Sequence, residues 1–134
     1  MNEEEKNGPR TARVLYIPAK GDWEFRDEPL DEDGGIPLDT LQKAVGGLID
    51  HTDVCRPSGD TAGMRRLDMW VNDEGKLLCQ PLNCAATRIS YAARFYGDFI
   101  VGDVIVCAHD GDGRSVGLSE SEENILRSEL PDHE

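Results

Sequence analysis

The feature that most constrains the fold is the run from Phe99 to Ala108, Phe-Ile-Val-Gly-Asp-Val-Ile-Val-Cys-Ala. Its β-branched residues favour an extended chain. Apolar side chains fall at both odd and even positions, so a strand here is apolar on both faces. Such a strand must be covered on both sides, which places it inside a sheet. The run is far shorter than the roughly 18 apolar residues of a membrane-spanning helix. Gly102 and Asp103 interrupt it and read as a bulge.

The rest of the chain supplies partners for this strand. Arg13 to Ala19 alternates apolar positions, and Asp22 to Glu28 places Trp23 and Phe25 on one face. Pro18 to Gly21 between them is turn chemistry, so the pair reads as a β-hairpin. An acidic loop, Asp27 to Gly35, leads to a short helix. Asp39 is its expected cap, with Gln42 as the capping-box partner. Leu38, Leu41 and Val45 share a helix face, and Gly46 is the left-handed stop. Leu48 to Val54 reads as a strand, and Cys55 to Arg66 as a loop. Leu67, Met69 and Val71 alternate as a strand. Asn72 to Gly75 reads as a hairpin turn, with Lys76 to Gln80 returning as the partner strand.

Asn83 is positioned to cap a helix running to Tyr96, with Gly97 as its stop. A loop from His109 to Gly117 precedes a last helix over 119–130. Ser119 and Glu122 form its capping box, and Leu118, Ile125, Leu126 and Leu130 give its apolar stripe. The order of elements predicts a single α+β domain over 13–130, mainly an antiparallel sheet with about three helices packed on it. Residues 1–12 read as a disordered N-terminal segment.

Several of these pieces together resemble a domain-of-unknown-function family, number 3846. They are Leu41-Gln42-Lys43-Ala44-Val45-Gly46-Gly47 and Val71-Asn72-Asp73-Glu74-Gly75-Lys76-Leu77, then Pro81-Leu82-Asn83 with Ala86-Thr87. The last is Ile100-Val101-Gly102-Asp103-Val104-Ile105-Val106. The similar core spans 41–108, and the opening hairpin fits the family's usual start. The resemblance implies an origin in a phage, plasmid or other mobile element. It implies no catalytic residues.

Charge narrows the function classes. The net charge is −13, distributed as −5 over residues 1–34, −2 over 35–108 and −6 over 109–134. Acidic ends around a nearly neutral middle disfavour direct nucleic-acid binding, which needs a basic footprint. The near-neutral middle also argues against mimicry of DNA. The acidic ends suit a basic protein partner. The acidic N-terminus lacks an apolar signal region, and no membrane association is expected. The expected compartment is the cytoplasm, the host's if the protein is phage-encoded. Cys55, Cys79, Cys84 and Cys107 then read as reduced thiols, the last three as small buried hydrophobes.

The candidate chemistries are few. Zinc takes four nitrogen or sulfur ligands, commonly from close Cys or His pairs. His51 with Cys55, Cys107 with His109, and Cys79 with Cys84 lack such spacing, so no metal or cofactor is expected. Asp110 to Gly113 lacks the ligand spacing of a calcium loop. His51, His109 and His133 have no nucleophile in a recognised pattern, and the chain is not expected to be an enzyme. Asp103 is the one acid within the apolar run; it reads as a cap for neighbouring amides. Arg56, Thr61, Arg65 and Arg66 lie in a Gly- and Ser-rich loop over 55–66 that suits a phosphate.

The sequence therefore predicts a small phage-type accessory protein that binds a host or phage protein, with Glu120, Glu123 and Glu129 on the last helix as the partner-binding acids. The alternative is a binder of a phosphorylated ligand such as a nucleotide through Arg56, Thr61, Arg65 and Arg66. An uncharacterised enzyme stands third.

Overall fold

A computed structural model describes residues 10–54 and 67–132. The arginine loop, with Arg56, Thr61, Arg65 and Arg66, lies outside the described residues, as do residues 1–9, Cys55 and His133.

The fold is α+β. Its centre is β5 (Val104–His109), whose first five side chains are fully buried. It runs antiparallel between β1 (Thr11–Ile17) and β4 (Leu67–Asn72). Outside these lie β2 (Glu24–Pro29), paired with β1, and β3 (Ile49–Val54), paired with β4. The order is thus β2-β1-β5-β4-β3, and β6 (Ser115–Val116) adds a short pairing to β5.

Alternation along the strands sorts the core onto two faces. One face presents Leu15, Ile17, Leu67, Met69, Val104 and Val106. Ala86 and Ile89 of α2 (Cys84–Ile89) pack on this side, with Leu126 of α4 (Glu120–Glu129) and the following Leu130. The other face presents Val14, Ile105 and Cys107 to Leu41 and Val45 of α1 (Leu38–Val45). Each large aliphatic group so buried stabilises the fold by about 2 kcal/mol. This two-sided cover is why β5 is apolar throughout. Trp23 meets Phe25 edge to face at 5.9 Å, and Arg13 joins the sheet to α4 through Glu123 at 3.0 Å.

Local readings hold where the signal is a cap or a stop. Gly46 (φ 80°) and Gly97 (φ 68°) end their helices, and Ser119 with Glu122 forms the capping box of α4. Elsewhere the structure corrects the sequence. Lys76 to Gln80 is no strand: the Leu78 amide donates to Glu74 O and the Gln80 amide to Gly75 O, which closes the segment into successive turns. The neighbours of β4 are instead β3 and β5. The helix expected from Asn83 to Tyr96 breaks at Ser90, whose backbone is extended (φ −85°, ψ 141°) and bridges to Val54. The Ser90 hydroxyl then accepts the Ala93 amide and starts α3 (Tyr91–Tyr96).

The strand expected from Phe99 begins only at Val104. Gly102 has φ 76°, so the preceding residues turn away, and Val101 makes just an isolated bridge to Leu82. At α1, Pro37 occupies the cap position without a side-chain bond, Asp39 falls inside the first turn, and Leu38 is exposed. Cys107 is buried as expected, but Cys79 and Cys84 are exposed. β1 begins at Thr11, two residues ahead of the expected domain start.

Candidate functional site

The site begins at the turn that leaves β4. Asn72 Oδ1 accepts the Glu74 amide at 2.8 Å, while its Nδ2 donates to Val45 O at 3.1 Å, so the turn is tied to the end of α1. The successive turns that follow present Leu77, 83 % exposed, to solvent. Facing them is α3, where Tyr91 packs on Phe95 with ring centroids 4.5 Å apart. Phe95 and Tyr96 themselves are exposed, Tyr96 to 77 %. After the Gly97 stop the chain returns with Phe99, half exposed.

Between these segments and edge strand β3 runs a groove of about 370 Å³. Leu77, Ala92, Phe99 and Val71 supply apolar walls, and Asp50, Asp73 and Asp98 stand among the lining residues. Lys76 is the lining cation. Its Nζ pairs with Asp98 and lies 4.5 Å from the Phe99 ring centroid, which fixes the aromatic wall. The same ammonium holds the Asp98 carboxyl below the ordinary carboxylate range, helped by the Phe99 amide. The groove therefore combines apolar walls with net negative charge. Exposed apolar side chains gathered at one place mark interaction surfaces.

A second concavity, of about 850 Å³, lies between α1 and the β1–β2 hairpin. Asp103 stands in its wall, accepting the Ala19 amide at 2.9 Å and the Tyr16 hydroxyl at 3.0 Å. This is the amide-capping role read for it from sequence. Burial and the bond to Asp103 raise the Tyr16 pKa. Arg26 lies over the Tyr16 ring at 3.9 Å and pairs with Glu24. Lys20 and Lys43 line the same space, and Gln80 Oε1 is buried without a hydrogen-bond partner among the described residues.

The sequence-predicted acids of α4 do not form one docking row. The Glu123 carboxylate is held by Arg13 at 3.0 and 3.3 Å and by Arg127 at 2.7 Å, which lowers its pKa. Glu129 is half-buried, and Glu120 stands exposed at the helix start. The Asp110 turn is closed by its own contacts: Oδ1 accepts the amides of Asp112 and Arg114, and Oδ2 accepts Arg114 Nε at 2.9 Å.

Sequence reading missed the groove because it treated Leu77 and Phe99 as strand residues. Odd spacing of large apolar residues in a segment rich in Asp and Gly was the available signal. It also missed a row of His51, Asp53 and Asp68, which β3 and β4 bring together.

A family model described as a domain of unknown function (DUF3846) matches residues 12–130. The chain belongs to this family. The DUF3846 match takes in both the opening hairpin and α4, so it extends beyond the 41–108 core that carries the resemblance in sequence. Searches of curated proteins and of solved structures found no match. Among the described residues, no helix is long and apolar enough to cross a membrane.

Proposed function

We propose that this DUF3846 protein acts by binding another protein, and that the groove between α3 and β3 is the docking surface. The observation that carries the reading is a groove walled by exposed Leu77 and Phe99, whose unpaired charge is acidic, with Phe95 and Tyr96 exposed on α3, the helix that lends it Ala92. Apolar anchors give affinity, and complementary charge gives orientation and rate. The partner is accordingly a basic segment carrying spaced apolar side chains. The binding role and the basic partner follow the sequence expectation; the place of docking moves from α4, where Glu123 is already engaged within the fold. An accessory protein of a phage or other mobile element fits the family resemblance. Cytoplasmic action fits the exposed free thiols of Cys79 and Cys84, which need a reducing compartment.

The test is panning of a displayed peptide library against the full-length protein. Enrichment of peptides that combine Lys or Arg with Leu, Phe or Trp supports the reading, provided Leu77→Asp/Tyr96→Asp abolishes capture. Both positions are exposed, so the fold survives the change. No enrichment, or equal capture by the double variant, refutes it.

A second reading, a small anionic ligand in the concavity between α1 and the hairpin, draws on Lys20 and Lys43. A thermal-shift screen of phosphorylated and carboxylated metabolites tests it, since a ligand that binds only the native state raises the melting temperature. The shift should vanish in Lys20→Ala/Lys43→Ala.

A further inference from the structure

We propose a divalent transition-metal site on the α1 face of the sheet, formed by His51, Asp53 and Asp68. Side chains two apart on a strand share a face, so His51 and Asp53 project together from β3. The antiparallel register sets Asp53 directly opposite Asp68 on β4, and His51 opposite Trp70. One donor atom from each of the three lies within 4.8 Å of the others. Asp68 is buried and Asp53 half-buried, while His51 is exposed. Donor atoms this close can converge on a common ion at about 2.0–2.2 Å by side-chain rotation, for which the exposed His51 has room.

Two features define what the site would take. Two carboxylates match the charge of a divalent cation, and the imidazole favours a first-row transition ion over magnesium or calcium. His109 Nδ1 stands 3.1 Å from Asp68 Oδ2 and is placed to donate to it, which fixes that carboxylate for ligation. The His51 ring packs against Trp70 with centroids 5.1 Å apart, so an ion on His51 sits close to the indole. Three protein ligands leave positions open to water or to a ligand from solvent. His51 also lines the docking groove, whereas Asp53 and Asp68 do not, so Asp53→Asn separates ion binding from docking.

The sequence argued against zinc because no close Cys or His pairs exist. The ligands here come from adjacent strands: Asp53 and Asp68 are 15 positions apart in sequence and meet through the register of β3 and β4.

The experiment is titration of chelator-stripped full-length protein with Zn²⁺ by calorimetry, and with Co²⁺ by absorbance and tryptophan fluorescence. One equivalent of Zn²⁺ should bind, Mg²⁺ should not compete, and Co²⁺ should quench Trp70. Affinity should fall at least tenfold in His51→Ala and in Asp53→Asn, with melting temperatures near wild type. Asp68→Asn is avoided because its burial confounds folding with ligation. Absence of saturable binding overturns the proposal. So does unchanged affinity in both variants, or an intense cobalt–thiolate charge-transfer band, which would assign the ion to cysteines.

Discussion

Replacing Asn83 with alanine should destabilise the protein more than a helix cap alone can explain. The side chain is fully buried. Its Oδ1 accepts the Ala86 amide at 3.0 Å and caps α2. Its Nδ2 donates to Ile17 O at 2.9 Å and Gly102 O at 2.8 Å, which ties the end of β1 to the turn before β5. Loss of the cap costs about 1 kcal/mol. Each buried carbonyl deprived of its donor costs about 1–3 kcal/mol. Taking the low end for both carbonyls gives about 3 kcal/mol, a large share of the 5–15 kcal/mol typical of a domain. With an m-value near 1.5 kcal/mol per molar, the urea midpoint should fall by about 2 M.

Asn83→Asp sharpens the test. It keeps the cap but turns a carboxylate toward two carbonyl oxygens, which raises the folded-state pKa above the unfolded value. Its deficit should therefore be largest at neutral pH and shrink as pH falls through that raised pKa, where the protonated acid donates again. Equilibrium urea unfolding followed by circular dichroism reads both variants. An Asn83→Ala cost below 1 kcal/mol, or an Asn83→Asp deficit that grows on acidification, would refute the reasoning.

Two further outcomes follow from the ionisable groups. The Glu123 pKa is lowered, chiefly by its bond to Arg13, so its contribution is present above the ordinary glutamate range and lost as pH falls through the depressed value. Glu123→Gln should cost about 1 kcal/mol at pH 7 and progressively less as pH falls below the ordinary glutamate range, by urea unfolding across a pH series; a cost that does not shrink on acidification would contradict the ion pair. Burial pushes the Cys107 thiol up to about 11. In a Cys55→Ser background at pH 8, a disulfide reagent should therefore label Cys79 and Cys84 rapidly and Cys107 only on unfolding. Fast reaction of Cys107 would place it at the surface.

The legible parts of the fold were those with a local cause. Asn83, Ser119 with Glu122, Gly46 and Gly97 each satisfy or end a helix by contacts within a few residues, and each is where sequence placed it. The inner position of β5 was readable because two-sided apolarity has few other solutions. Errors arose where distant contacts decide. Lys76 to Gln80 has strand-like composition, but the Asn72 side chain reaches back to α1 and turns the chain. The break at Ser90 depends on its bridge to Val54, which no local pattern announces. At the site, spacing was informative only for residues on one element. His51 and Asp53 are two apart, yet Asp68 meets them through strand register, and Leu77 faces α3 only because the turns expose it. The α4 acids looked free because Arg13, which holds Glu123, lies 110 positions away.

The central claim is that the groove beside Leu77 and Tyr96 docks a basic, apolar-stepped segment. The most direct measurement is fluorescence anisotropy of a labelled peptide recovered by panning, titrated with wild-type protein and with Leu77→Asp/Tyr96→Asp at low and high salt. The account predicts saturable one-to-one binding by the wild type, weakening as salt screens the acidic rim, and at least a tenfold loss in the double variant. Equal affinity for the two proteins, or binding indifferent to both salt and substitution, would contradict it.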